Sequence, residues 1–205
     1  VFAVGMLAVV YFATLAFVLK VEKDPKSRGA MIQAIYRSNF VIMGIPIVSN
    51  IFGNDNVAMT SVMITITVPI FNVLAVITLE VFRGGRPNPI HVIAEILKNP
   101  MIIGALLAIL TVVFRIKLPA FAENTIGMLA GAATPMALLI LGASFDIKSV
   151  ERVRRNLIIC MTGRLIIVPA IALTCGVLAG FRDIALVTLV AIFASPTAVS
   201  SFTMA

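Results

Sequence analysis

The chain has 205 residues, of which 60% are apolar and only 12% are charged, and its mean hydropathy is +1.11. An ordinary soluble domain is about half apolar and a quarter charged, so this composition excludes that class and predicts an all-α integral membrane protein in a lipid bilayer. The net charge of +7 would suggest a nucleic-acid partner in a soluble protein. Basic loops beside apolar helices are instead the usual product of membrane topology, and no nucleic-acid partner is predicted.

Seven apolar stretches are long enough to cross a hydrocarbon core of about 30 Å, which takes around 20 residues. In chain order they are 1–19, 30–52, 57–82, 90–114, 121–145, 156–179 and 184–205. The connections between them are short, which predicts a single transmembrane domain over residues 1–205. Both ends of the chain lie within apolar stretches, which favours a fragment of a longer membrane protein.

The fourth stretch is the least regular of the seven. Asn99 and Pro100 divide it, and this pair is typical of a helix cap followed by a first helical residue. We therefore expect residues 90–98 to lie along the membrane interface before the span itself begins.

Basic residues alternate strongly between successive connections. Lys and Arg number ten in connections 20–29, 83–89 and 146–155, and three in connections 53–56, 115–120 and 180–183. By the positive-inside rule the first set is predicted to be cytoplasmic, in a multi-pass protein of the inner or plasma membrane. The first span then runs inward and the second outward.

Two spans carry prolines and polar residues at bilayer depth. The second contains Asn39, Gly44, Pro46 and Asn50, and the seventh contains Ser195, Pro196, Thr197, Ser200 and Ser201. Ser195-Pro196 is a helix-start signature, and Gly44 and Pro46 permit unwinding, so each span is predicted to consist of two half-helices. The alternative is that small hydroxylated residues merely allow close helix packing.

The positions of the two prolines predict an inverted repeat. Pro46 and Pro196 lie in oppositely directed spans, with residues 1–82 in the first repeat and 90–205 in the second. We therefore expect the two prolines to lie close together. Inverted repeats with paired broken helices are typical of secondary transporters whose site lies between the breaks, and that fold is predicted here.

Half-helix N-termini carry roughly half a positive charge, so a site between two of them favours an anion. The predicted substrate-binding residues are those with polar groups or flexible backbone near the breaks: Asn39, Gly44, Pro46, Asn50, Ser195, Pro196, Thr197, Ser200 and Ser201. Arg37 and Arg164 lie within spans and would attract an anion, or alternatively extend to the inner interface.

Other functional classes find less support in the sequence. Its carboxylates lie in or beside loops or near span ends, where a cation antiporter would need one at the bilayer centre. A Na⁺- or H⁺-coupled symporter or antiporter of a related fold remains an alternative. An intramembrane enzyme would need a nucleophile and a base, or a set of metal ligands, within the spans. The single histidine, His91, lies in a connection. No catalytic residue, metal site or cofactor is therefore predicted. A receptor or scaffold is a further alternative.

Several motifs together resemble the auxin efflux carrier family of prokaryotic and plant permeases. They are Arg37-Ser-Asn-Phe40 with Gly44-Ile-Pro46, Asn99-Pro100-Met-Ile-Ile-Gly104, Pro135-Met-Ala-Leu-Leu-Ile-Leu-Gly142-Ala-Ser144, Arg164-Leu-Ile-Ile-Val-Pro169 and Ser195-Pro196-Thr-Ala-Val-Ser-Ser201. The resemblance covers essentially the whole chain. It implies two inverted five-helix repeats with helices broken at a proline crossover, of which this chain would hold the third to ninth helices.

The resemblance also implies a function and site residues. Family members move organic anions such as auxin or short dicarboxylates. Pro46 and Pro196 would be the crossover prolines, and Asn39, Gly44, Ser195 and Ser200 would be candidates for substrate contact. The short 83–89 connection favours a bacterial or archaeal permease. The oligomeric state stays open, with a homodimer as one alternative.

Overall fold

The computed structural model describes residues 1–82, 89–199 and 201, and the regular structure within those ranges is helical. Its α-helices are α1 (Phe2–Val21), α2 (Pro25–Tyr36), α3 (Phe40–Phe52), α4 (Ala58–Phe82), α5 (Pro89–Lys98), α6 (Pro100–Val113), α7 (Ala120–Ala143), α8 (Ile147–Arg152), α9 (Arg154–Thr162), α10 (Val168–Leu178) and α11 (Asp183–Ala194). A 3₁₀ turn at Asn54–Asn56 joins α3 to α4, and a π-helical turn at Gly163–Ile167 joins α9 to α10.

Within the described ranges, five helical stretches are long and apolar enough to span a membrane. They are Phe2–Val21, Pro25–Phe52, Ala58–Phe82, Ala120–Ala143 and Arg154–Leu178. They correspond to the first, second, third, fifth and sixth predicted spans. The fourth and seventh are represented by the shorter apolar helices Ile102–Val113 and Asp183–Ala194. The prediction of an all-α integral membrane protein is confirmed.

The second span begins earlier than its apolar stretch indicated. Pro25 is the first residue of α2, and the Asp24 carboxylate caps the helix by accepting hydrogen bonds from the Ser27 N–H (2.8 Å) and hydroxyl (2.7 Å). These bonds stabilise the charged carboxylate and hold the pKa of Asp24 below its usual value. The prediction that residues 20–29 are all connection was therefore wrong, because a polar cap and a first-turn proline start helices irrespective of hydropathy.

The division of the fourth stretch is confirmed. Helix α5 ends at Lys98 and α6 begins at Pro100, with the Asn99 carbonyl accepting the N–H groups of Ile102 (3.0 Å) and Ile103 (2.9 Å). An interfacial position for residues 90–98 stays a prediction. Most of the connection 83–89 lies outside the described residues.

The core forms where α1, α2 and α4 pack together. The Tyr11 and Tyr36 rings meet edge to face with centroids 5.1 Å apart, and the Tyr11 hydroxyl lies 2.9 Å from that of Thr78 on α4. Cys160 on α9 and Ile192 on α11 belong to the same buried cluster. Helix α7 is different, since it is exposed along nearly its whole length.

One contact fixes which helix ends share a side of the bundle. The Glu22 carboxylate, just after α1, accepts a hydrogen bond of 2.6 Å from the Asn156 amide in the first turn of α9. The end of α1 and the start of α9 therefore lie together. The sequence prediction that connections 20–29 and 146–155 share one side of the membrane agrees with this contact.

Candidate functional site: a crossing of two interrupted helices

The first interruption lies between α2 and α3. Helix α2 ends at Tyr36, Arg37 has an extended backbone (φ −80°, ψ 131°), and α3 begins at Phe40. Pro46, the predicted break, instead lies inside α3. That prediction was wrong. A proline removes only one helical hydrogen bond, and membrane helices tolerate this loss. The carbonyls at the end of α2, in contrast, accept hydrogen bonds from side chains of other spans.

The second interruption is where the sequence predicted it. Helix α11 ends at Ala194, Ser195 is extended (φ −65°, ψ 148°), and residues 196–198 are not helical. However, Ser195 ends a helix instead of starting one, since its hydroxyl donates to the Ala191 carbonyl (2.5 Å) in the last turn of α11. A residue before proline is driven out of the α-helical region, which is why the helix stops here.

The two interruptions meet directly. The Asn39 N–H donates to the Pro196 carbonyl (2.8 Å), and the Thr197 hydroxyl donates to the Ala34 carbonyl in the last turn of α2 (2.7 Å). The predicted crossing of two broken spans is therefore present, but the stretch 37–39 forms its first half. The last residues of α2 and α11, Tyr36 and Ala194, are 158 positions apart in the chain (194 − 36), and the inverted repeat itself stays a prediction.

Arg164 joins the ends of both half-helices. It lies in the π-helical turn, is 2% exposed, and donates through Nε to the Ser195 carbonyl (2.8 Å) and through Nη2 to the Ile192 carbonyl (3.2 Å). Its Nη1 donates to the carbonyls of Ile35 (3.4 Å) and Tyr36 (3.3 Å). The alternative that Arg164 extends to the inner interface is wrong, because these carbonyls hold it in the core.

Arg37 is buried as well, but its surroundings differ. It is 2% exposed and donates to the side-chain carbonyl oxygens of Asn72 on α4 (2.6 Å) and Gln33 on α2 (3.3 Å). Arg37 therefore connects the first interruption to α4. For Arg37 too, extension to the interface is wrong.

Asn39 has the most favourable position among the predicted substrate-binding residues. It caps α3, is partly buried, and its side chain makes no capping hydrogen bond, so the first-turn N–H groups of α3 lack a side-chain cap. Ser38 precedes it and is buried, and its hydroxyl has no hydrogen-bond partner among the described residues. Sequence reasoning missed Ser38, although its place between Arg37 and Asn39 in a polar triplet was an available signal.

The remaining residues predicted on α3 lie further along that helix than Asn39. Asn50 is exposed and eleven residues beyond Asn39, about 16 Å along a helix at 1.5 Å per residue. Pro46 is exposed too. Gly44 is buried and packs under the Phe40 ring beside Thr60 of α4, so it serves helix packing.

The predicted residues after α11 divide into three groups. Ser195, Pro196 and Thr197 form the second half of the crossing. The Ser201 hydroxyl is buried and has no hydrogen-bond partner within the described part of the chain. Ser200 lies outside the described residues.

Comparison with known proteins identifies the family. A family model described as membrane transport protein matches residues 89–205, more than half of the chain, including Arg164 and the second interruption. This match confirms the resemblance to auxin efflux carriers. No curated protein and no solved structure matches the chain.

Proposed function

The chain belongs to the membrane transport protein family, and on that premise we propose that it moves a small organic anion across the cell membrane by alternating access at the crossing. The substrate would be an auxin-like monocarboxylate or a short dicarboxylate. The proposed binding residues are Asn39, Ser38 and Ser201, with Ser200 as a further candidate, since the Thr197 hydroxyl already donates to the Ala34 carbonyl.

The observation that carries this proposal is the start of α3. Its first turn lies at the crossing with N–H groups that no side chain caps, and helix N-termini favour anions. The Asn39 amide stands at the same place and supplies a neutral donor. A carboxylate there would accept hydrogen bonds from the backbone and from Asn39 together.

The two buried arginines also favour a negatively charged substrate. Arg37 and Arg164 are both buried at the crossing, and their charges are felt more strongly there than in water. Both guanidinium groups are held by protein oxygens, so they would act on the substrate through their field.

The rival is an ion-coupled carrier in which a carboxylate binds the driving cation. Glu80 lies in the last turn of α4, near the end of a span, and is the candidate for that role. Glu80→Gln therefore separates the two readings when it is compared with a change at Asn39.

Uptake by the full-length protein tests the proposal, with radiolabelled indole-3-acetate and succinate as probes. Asn39→Ala is expected to weaken binding by one charge-assisted hydrogen bond, about 1.5 to 3 kcal/mol, or roughly ten- to a hundredfold. Asn50→Ala is the matched control, because it removes the same side chain about 16 Å from Asn39 along α3. At equal expression it should transport like the parent.

Two results would contradict the proposal. One is equal loss in Asn39→Ala and Asn50→Ala, which would disconnect uptake from the crossing. The other is strong loss in Glu80→Gln with near-normal uptake in Asn39→Ala, which would favour carboxylate-coupled cation transport.

A further inference from the structure

The four carbonyls that bind Arg164 belong to the C-terminal ends of two different half-helices. Ile35 and Tyr36 end α2, while Ile192 and Ser195 belong to the last turn and cap of α11. A helix C-terminus carries roughly half a negative charge, so two such ends converging in a buried place favour a cation between them. In the described part of the chain, Arg164 is the cation that meets both ends.

Local structure delivers the guanidinium to this place. Gly163 packs so closely on Ile35 that an added Cβ would lie 3.3 Å from that side chain, so the sixth span can approach the end of α2. The π-helical turn inserts an extra residue into the helix, and such turns recur at functional sites. Both features place Arg164 beside the interruptions of the other two spans.

We propose that Arg164 is a resident cation of the crossing: its guanidinium occupies the carbonyl cage in which an ion-coupled carrier would bind a dissolved monovalent cation. Unwound carbonyls and half-helix C-termini are the groups that coordinate coupling cations in transporters with broken helices. Here the protein supplies the charge covalently. Arg164 is thus a positioning residue that holds the two half-helix ends together without a dissolved ion.

Guanidinium suits this role better than ammonium. It is planar, always charged and more weakly hydrated, and its fork of donors can reach carbonyls on two helices at once. Removing the side chain would leave a cage of four carbonyl oxygens large enough for a guanidinium ion. The inference rests on the fold and not on the proposed anion specificity, so a substrate of another kind would leave it intact.

Thermal unfolding in detergent tests the inference without a transported substrate. In the full-length protein, the exposed Cys175 is replaced by alanine and any other cysteines are replaced as well, so that Cys160 of α9 is the remaining thiol. Because Cys160 is buried, it reacts with a thiol-reactive dye when the protein unfolds. Melting temperatures are measured in choline, sodium and guanidinium chloride at about 10 mM, where a ligand of the native state raises stability by mass action and guanidinium does not yet denature.

Arg164→Ala is expected to melt several degrees below the parent in choline, and guanidinium should restore at least half of that loss. Arg164→Lys should lie between the two. The matched control is Thr197→Val, which removes another hydrogen bond of the crossing but empties no carbonyl cage. Its melting temperature should fall without recovery in guanidinium.

Three outcomes would overturn the inference. Guanidinium and sodium could both fail to raise the melting temperature of Arg164→Ala, or guanidinium could raise Thr197→Val by the same amount. The third outcome would be a higher melting temperature of the parent in sodium than in choline, where the inference expects equal values. Such a rise would mean that the native protein binds a dissolved cation. This measurement tests the inference even if Arg164→Ala does not fold.

Discussion

The two interruptions of the crossing end their helices in different ways. At the second, Pro196 forces Ser195 out of the helical region, so the helix stops for a local covalent reason. At the first, the sequence Arg37-Ser-Asn39 contains no proline, and α2 stops where Thr197 and Arg164 bind its last carbonyls. A helix can therefore be ended by its own sequence or by side chains more than a hundred residues away.

Pro46 completes this comparison. It lies within α3 and leaves that helix continuous, although it is the proline nearest in sequence to the first interruption. A proline in a membrane helix thus marks a weakened position, and tertiary partners decide whether the helix opens there.

The largest expected effect is on cross-linking between the interruptions. With native cysteines replaced, Asn39→Cys and Pro196→Cys should form a disulfide efficiently in the full-length protein, since the backbones of these residues are hydrogen-bonded at 2.8 Å. The pair Asn50→Cys and Pro196→Cys should not, because Asn50 lies about 16 Å further along α3. Efficient cross-linking of the second pair alone would move the crossing toward Pro46.

Gly44 tests how tightly the helix after the first interruption is packed. A Cβ at this position would lie 2.5 Å from the Phe40 ring and 3.2 Å from Thr60, so Gly44→Ala should destabilise the fold by about 1 to 3 kcal/mol through overpacking. Gly131→Ala on α7 is the control, because a Cβ there meets nothing within 4 Å. Equal melting temperatures for the two variants would contradict the packing role.

The two prolines should respond to alanine with opposite signs. Pro46→Ala restores an N–H inside α3 and is expected to raise stability by about 1 kcal/mol, part of the roughly 3 kcal/mol that an interior proline costs a helix. Pro196→Ala should lower stability by about 0.4 to 1 kcal/mol, because the unfolded chain regains freedom. Thermal unfolding of both variants checks this, and a loss in Pro46→Ala would indicate that Pro46 has a structural role in the crossing.

The smallest expected effect concerns Glu22, which directly follows α1. Hydrogen bonds from the Asp24 N–H, the Asn156 amide and the Lys23 N–H lower the pKa of Glu22. This stabilisation is complete above the carboxylate's ordinary pKa and is lost as the pH falls through the lowered value in the folded protein. Below about pH 5 the parent's melting temperature should therefore fall more steeply than that of Glu22→Gln, which lacks this titration. Parallel curves would contradict the assignment.

Much of this protein is determined by local sequence. The apolar stretches predict the membrane class and the spans, Asn99-Pro100 predicts the start of α6, and Ser195-Pro196 predicts the second interruption. These features depend on hydropathy and on the covalent restrictions of proline, which act within a few residues. Even the family could be identified from short motifs, as the match over residues 89–205 confirms.

The tertiary structure decided where the first span opens and what the buried arginines bind. The carbonyls of α2 lie 128 to 163 residues from the side chains that satisfy them, and no pattern within the second span encodes those partners. Arg164 looked as able to reach the interface as the core because its length permits both. The convergence of two half-helix ends in the core gives its guanidinium four carbonyl acceptors, and those buried carbonyls would cost free energy if they were left unpaired.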